Sequence, residues 1–233
     1  DMSRSDTKHK KSLRPHGVFV LVVLFLLTFT PTVLADRITV VTATTNMGSD
    51  FGTNLQNTVN GVGLSILSLT TTHAGTIPSN SWVSSAGVLT GQITFNLGGL
   101  FSVDSFSFWN QNGGGPGLAG STGIQNVQVL LSTNGIDFTP LPGGPSAFAR
   151  VTGAANLPPQ IFSFTAVNAT HFRFNVLSNY GDMLNTGFAE VGFNGSPVSS
   201  APIPEPTTML LLGTSLAAIA VKVSRKRQAG RQE

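Results

Sequence analysis

The sequence predicts an all-β domain, an antiparallel β-sandwich or jelly roll, between two chain ends of different composition. Hydrophobic and polar residues alternate in several short runs, which is the pattern of half-buried antiparallel strands. Stretches rich in Gly, Ser, Thr and Asn separate these runs and are typical of turns. No long helical period occurs between residues 36 and 200. Many short strands joined by such turns favour a sandwich over other fold classes.

Six runs carry the alternation, and Phe residues fill many of the positions on one face. Because alternate side chains of a strand share a face, each run directs one set of residues into a core. The runs, in chain order, are 92–97, 103–109, 127–131, 161–164, 172–176 and 188–193. We expect the aromatic core to contain Trp82, Phe95, Phe106, Phe108, Phe172 and Phe174.

The N-terminal end predicts a secretory signal peptide over residues 1–35. Five basic residues lie within the first 16 positions, and an apolar stretch of thirteen residues follows at 17–29. Pro31 then interrupts the run, and Val33-Leu34-Ala35 offers small or β-branched residues at the positions that signal peptidase reads. An uncleaved N-terminal anchor is the alternative. Cleavage after Ala35 leaves a domain at 36–195 and a short Pro- and Ser-containing linker at 196–203.

The net charge of +3 comes from the two ends of the chain. Residues 36–200 contain three arginines, no lysine and six carboxylates, which leaves this region at −3. The basic ends therefore give no support for nucleic-acid binding. The chain has no cysteine, so disulfides and thiolate metal sites are excluded.

The C-terminal tail at 204–233 has three parts in a fixed order. Pro204, Glu205 and Pro206 precede an uncharged stretch at 207–221, and a basic cluster follows. The stretch is short for a transmembrane segment, and its basic end is expected in the cytoplasm. The tail resembles the PEP-CTERM sorting signal of exported Gram-negative bacterial proteins. An ordinary membrane anchor is the alternative.

The PEP-CTERM resemblance implies a route and a partner. The tail would be held transiently in the inner membrane and cut near the motif by an exosortase-type enzyme. The protein would then reach the cell surface, outer envelope or extracellular matrix.

A second resemblance spans most of the region between the two ends. Segments 57–61, 81–84 and 93–98 resemble the opening of a discoidin-type domain of the galactose-binding-like fold. Segment 128–138 resembles the family's hairpin, and 178–195 its closing segment. The sequence departs from the family at Asn60, Asn96 and Asn134, where Asp is usual, and at Phe138, where Trp is usual.

The discoidin resemblance implies two candidate sites. A structural calcium would take oxygens from Asn60 and Glu190, although one carboxylate and one amide make a poor set for this ion. The alternative for Glu190 is a solvated or hydrogen-bonded strand residue.

The second implied site is a sugar site in the end loops, formed by Trp109, Asn110 and Gln111 on one loop and by Asn179 and Tyr180 on another. An aromatic face and amide groups suit a sugar ring and its hydroxyls. Trp109 packed on the sheet is the alternative.

Catalysis has little support in the sequence. The carboxylates of the domain are scattered, and no nucleophile elbow, zinc motif or phosphate-binding loop occurs. We therefore expect a non-enzymatic exported protein that binds or organises extracellular polysaccharide. A structural envelope or matrix protein without a specific ligand is the alternative, and a secreted hydrolase is the third possibility.

Overall fold

The computed structural model describes residues 36–113, 118–153, 155–198, 214–215 and 222. The predicted signal peptide and the Pro204–Glu205–Pro206 motif lie outside the described residues. The described residues contain one 3-10 turn at Leu55–Thr58 and eight strands, which are β1 (Asp36–Arg37), β2 (Thr42–Thr45), β3 (Trp82–Val83), β4 (Gly91–Asn110), β5 (Val127–Ser132), β6 (Thr139–Pro140), β7 (Gln160–Val176) and β8 (Gly187–Pro197).

Two long strands, β4 and β7, organise the sandwich. They pair antiparallel from Gly91 opposite Val176 to Phe108 opposite Gln160. The first part of β4 also pairs with β2, and its second part with β8. The last part of β7 pairs with β5, which in turn pairs with β6. Each long strand therefore contributes to both layers of an antiparallel all-β fold, as the alternation predicts.

Phenylalanine rings fill the space between the layers. The ring centroids of Phe106 and Phe174, from the two different halves of the β4–β7 pair, are 5.6 Å apart. Phe95 lies 5.6 Å from Phe193 of β8, and Phe172 lies 4.8 Å from the same ring. The predicted core is confirmed, because all six aromatic residues expected there are fully buried: Trp82, Phe95, Phe106, Phe108, Phe172 and Phe174.

The predicted strands are longer in the structure than the alternation indicates. Runs 92–97 and 103–109 form one strand, and so do runs 161–164 and 172–176. Alternation is lost around Gly98, but the pairing of β4 with β7 resumes at Phe101 after a register shift. A bulge of this kind bends a strand without ending it. Hydrogen bonding to β7 thus keeps β4 continuous as it passes from one layer of the sandwich to the other.

Several loops meet at one end of the sandwich. Trp82 of β3 pairs with Phe188 at the start of β8, and Asn110 at the end of β4 pairs with the same residue. The loop before β8 is tied to β3 because Ser84 N–H donates to the carbonyl of Thr186 at 2.8 Å. Four segments lie together at this end of the sandwich, which we call the loop end. They are residues 50–53, 76–81, 111–113 and 182–185.

Candidate ligand-binding site

The prediction that Trp109 and Asn110 form a sugar-binding loop is wrong. Both belong to strand β4 and are fully buried. The Trp109 indole N–H donates to the carbonyl of Thr71 at 3.0 Å, and its ring packs in a small core with Leu157 and Ala189. A ring enclosed in this way has no face for a sugar, so the alternative of packing on the sheet is the correct one.

Asn110 has a structural role that its buried amide explains. Its Nδ2 donates to the carbonyls of Ile124 and Ala149, at 2.8 and 3.0 Å. Its Oδ1 accepts the N–H groups of Gln111 and Ile124, at 3.0 and 2.9 Å. With both ends of the amide engaged, Asn110 holds three chain segments together and has no free group for a ligand.

Asn179 and Tyr180 support the loop end but do not line its cavity. The Asn179 Nδ2 donates to the carbonyls of Asp182 and Asn185, both at 2.9 Å, and so closes the loop before β8. The Tyr180 hydroxyl donates to the carbonyl of Phe148 at 2.5 Å. The structure does not support the predicted direct contact of these two residues with a ligand. Their polar side-chain atoms form hydrogen bonds within the protein instead.

A cavity of about 330 Å³ opens at the loop end, and Gln111 is the predicted ligand residue that lines it. Among the described residues, its side-chain amide makes two hydrogen bonds, both long at 3.4 Å, with Ser81 and Gly113. The wall has an apolar side and a polar side. The lining residues are Phe51, Thr53, Thr76, Ile77, Pro78, Ser81, Val83, Gln111, Gly113, Thr122, Asp182, Leu184 and Asn185.

Phe51 stands at the rim of this cavity in an unusual backbone conformation. It has φ of 55° and the following Gly52 has φ of 68°, while Thr53 N–H donates to the carbonyl of Asp50 at 2.9 Å. Two central residues with positive φ inside such a four-residue turn are the mark of a type I′ turn, which favours Asn followed by Gly. A bulky residue at positive φ is an outlier. In this turn Phe51 points into solvent, and 66% of its surface is exposed.

Asp182 is the carboxylate of the cavity wall. Burial raises its pKa, but the N–H groups of Leu184 and Asn185 and the hydroxyls of Thr122 and Ser121 outweigh burial, so the pKa lies below its usual range. The backbone donors lie 2.8 and 3.1 Å from Oδ1. Asp182 is therefore ionised at neutral pH and rigidly placed.

Asn185 contributes a second polar group to the wall. It is buried, and its Nδ2 donates to the carbonyl of Ser84 at 2.7 Å. No residue that the structure describes donates to its Oδ1. Together with the amide of Gln111, this oxygen offers hydrogen-bonding capacity to a ligand that carries hydroxyl groups.

The calcium site predicted from Asn60 and Glu190 does not have the expected form. Asn60 is exposed, and its Oδ1 accepts the N–H of Val62 at 2.9 Å. Glu190 is fully buried and forms an ion pair with the guanidinium of Arg37. Gly61 N–H donates to the same Glu190 oxygen at 3.0 Å. The side-chain oxygens do not fit an open calcium shell, because a protein cation already contacts the carboxylate. Whether the domain binds calcium is tested by comparing its melting temperature in calcium and in chelator.

Both members of the ion pair are buried. Burial raises the pKa of Glu190 to about 7, although the charge and hydrogen bond of Arg37 and the N–H of Gly61 act to lower it. One atom of each partner, Arg37 Nη1 and Glu190 Oε2, is buried without a hydrogen bond to any residue that the structure describes. No group of three or more His, Asp or Glu side chains within the described ranges is arranged to hold a metal ion.

Comparison with protein families identifies the tail. The family model of the PEP-CTERM protein-sorting motif matches residues 202–226, which include Pro204, Glu205 and Pro206. No curated protein matches the sequence. A helix that could cross a membrane is not found in the part of the chain that the structure describes.

Comparison with solved structures identifies the fold of the domain. A family 32 carbohydrate-binding module from a family 31 glycoside hydrolase of Clostridium perfringens is similar with a TM-score of 0.50 and 16% identity, covering 70% of this chain and 96% of that one. The family 32 module of C. perfringens NanJ, solved with galactose, has a TM-score of 0.46 and 16% identity, covering 69% and 98%. The chitosan-binding module 1 of a Paenibacillus sp. IK-5 chitosanase/glucanase has a TM-score of 0.44 and 17% identity, covering 69% and 99%.

At these identities the likeness concerns the fold alone, and it agrees with the discoidin-type architecture predicted from segments 57–61 to 178–195. The chain thus carries a PEP-CTERM protein-sorting motif at residues 202–226, and its described domain has the β-sandwich fold of family 32 carbohydrate-binding modules.

Proposed function

We propose that this protein is exported, is sorted through its PEP-CTERM tail by an exosortase-type enzyme, and binds a sugar unit of extracellular polysaccharide in the loop-end cavity. The observation that carries this proposal is Phe51. Its aromatic ring is exposed at the rim of the cavity on a backbone conformation that disfavours it. Strain of this kind persists where a function requires the side chain.

Phe51 supplies the apolar face on which a sugar ring can stack. Pro78, Ile77 and Leu184 extend that apolar wall. An Asn at position 51 would suit the turn better, so stability alone does not explain an aromatic residue there. A benzyl side chain held out by a tight turn presents a flat surface with little conformational freedom, which favours binding.

The polar side of the cavity supplies partners for hydroxyl groups. The Asp182 carboxylate and the Asn185 oxygen accept hydrogen bonds, and the Gln111 amide can donate and accept. A cavity of about 330 Å³ lies at the small end of the range for ligand pockets. These features suit one small, polar ring unit with an apolar face, such as a monosaccharide residue within a chain.

The position of the cavity at the start of β8 supports presentation to an extracellular polymer. The loop with Asn185 lies directly before β8, and the chain leaves β8 after Pro197 toward the sorting motif. A strand of eleven residues at about 3.3 Å each spans roughly 36 Å. The cavity therefore lies at the opposite end of β8 from Pro197, the last residue of this strand.

Binding without catalysis fits the groups in the cavity better than hydrolysis. Asp182 is the one carboxylate among the described lining residues. Glycoside hydrolysis ordinarily needs two carboxyl groups that flank the scissile bond. The depressed pKa of Asp182 also makes it a poor general acid at neutral pH.

A glycan array with the full chain, purified in a polyoxyethylene detergent that contains no sugar, tests the proposal. We expect selective binding, and we expect Phe51→Asn to weaken it about tenfold or more through loss of the stacking surface. The same substitution should leave the free energy of unfolding unchanged or raise it by up to about 1 kcal/mol, because Asn relieves the turn.

Ile136→Asn is the matched control, since it also replaces an exposed apolar residue with Asn but lies on the loop beyond the far end of β5. It should leave glycan binding intact. Binding that Phe51→Asn does not affect would place the ligand elsewhere. No binding to any glycan would favour a structural envelope or matrix protein and overturn the proposal.

A further inference from the structure

Positive charge is scarce in the sandwich, and all of it is committed to internal contacts. Between residues 36 and 198 the chain has three arginines and no lysine. Arg37 is buried in its ion pair with Glu190. The Arg173 guanidinium carbon lies 3.6 Å from the centroid of the Phe138 ring, and its Nε donates to Thr94 at 3.0 Å.

The third arginine, Arg150, is also held by the protein. Its Nε and Nη2 donate to the carbonyl of Ala119 at 3.1 and 2.9 Å, and its guanidinium lies 5.8 Å from the centroid of the Tyr180 ring. It does not line the cavity. Neither do the two histidines of the domain, His73 and His171, of which His73 is fully buried.

Negative charge, in contrast, lies in the cavity. The Asp182 carboxylate accepts hydrogen bonds from two backbone N–H groups and from the Thr122 hydroxyl at 2.9 Å. The Asp50 carboxylate is next to the wall, 3.5 Å from the Asn185 amide nitrogen. Residues 114–117, which follow the lining residue Gly113, are Gly, Gly, Pro and Gly and bring no charge.

We propose that the cavity selects uncharged sugar units and rejects acidic ones, an inference that rests on the sugar-binding function proposed above. An anionic sugar would place a second negative charge beside Asp182, and no cation among the described lining residues could pair with it. Its carboxylate would lose water and gain no partner, which is costly in a partly enclosed site. A fixed like charge of this kind is a means of excluding a competing ligand.

Matched oligosaccharides that differ only at C6 test this inference. We would titrate the full chain, in the same sugar-free detergent, with oligogalactosides and oligogalacturonates of equal length, and with oligoglucosides and oligoglucuronates. The basic residues at both chain ends will attract uronates nonspecifically, so each titration is repeated with Phe51→Asn and only the Phe51-dependent binding counts. We expect the uronate to bind at least about tenfold more weakly than its neutral partner.

Ile77→Lys provides a gain-of-function readout, because Ile77 is exposed and lines the cavity. A cation at this position should reduce or reverse the preference against the uronate. Phe51-dependent binding of a uronate as tight as that of its neutral partner would overturn the charge inference and leave sugar binding intact. No Phe51-dependent binding to any of the four sugars would overturn sugar binding in this cavity and the inference with it.

Discussion

Replacement of Phe174 with alanine should be among the most destabilising single changes in the domain. Phe174 is fully buried, and its ring lies 4.9 Å from that of Phe95, 5.6 Å from those of Phe106 and Phe148, and 6.1 Å from that of Phe108. Three of these rings are held along the paired strand β4 and the fourth on the loop after β6, so they cannot all close onto the space that the ring leaves.

Three contributions set the magnitude of this loss. Burial of a Phe side chain contributes about 1.5–3 kcal/mol, and an unfilled cavity adds to the cost of its removal. Edge-to-face and tilted ring pairs contribute about 0.5–1.5 kcal/mol beyond their buried area. Because Phe174 has four aromatic neighbours and little room for collapse, we expect Phe174→Ala to lower the free energy of unfolding by about 3–5 kcal/mol.

Urea unfolding followed by tryptophan fluorescence measures this change. The chain has two tryptophans, Trp82 and Trp109, and both are buried in the sandwich, so the signal reports on the domain and not on the tail. Phe51→Ala is the matched control, because it removes the same atoms from an exposed position and should cost less than about 0.5 kcal/mol. A loss below about 1 kcal/mol for Phe174→Ala would contradict the placement of this strand in the core.

Three other predictions concern the buried ion pair and the chain ends. The pKa of Glu190, raised to about 7 from 4.5, means that the folded state holds this proton more tightly than the unfolded state. The contribution of Glu190 to stability is therefore present below pH 4.5 and lost as pH rises through about 7. The amide of Glu190→Gln does not titrate, so urea melts should show the unfolding free energy of the wild type falling relative to that of Glu190→Gln over that window. Because Arg37 already contacts Glu190, millimolar calcium and chelator should give the same melting temperature, and a calcium-dependent rise of several degrees would refute this assignment. Mass spectrometry of the surface-located protein should find neither residues 1–35 nor the chain beyond the 204–206 motif, and abundant peptides from 222–233 would count against processing.

The core and the fold class could be predicted because they depend on local alternation. Phe95, Phe106 and Phe174 are inward residues of alternating runs, and a strand must bury that face whichever strands become its neighbours. The length of β4 could not be predicted in the same way. Alternation breaks off around Gly98, and only pairing with β7 continues the strand across the bulge.

The binding residues were predicted with less success, for a physical reason. Trp109 and Asn110 have side chains that suit a sugar, but their burial depends on segments far away in sequence, such as Thr71 and Ala149. Phe51 was missed because it belongs to no alternating run. Its flanking Asp50 and Gly52 are turn residues, and an aromatic residue held between them is the signal that could have identified it.

The sequence by itself determined an all-β domain with a phenylalanine core, a sorting motif at residues 202–226 and a shortage of cations between the two ends. Each of these depends on which residues are present and on their local order. Only the tertiary structure decided that Glu190 pairs with Arg37 and that Phe51, Gln111 and Asp182 share one cavity. Residues so distant along the chain meet only through the pairing of β1, β3, β4 and β8, which local alternation does not specify.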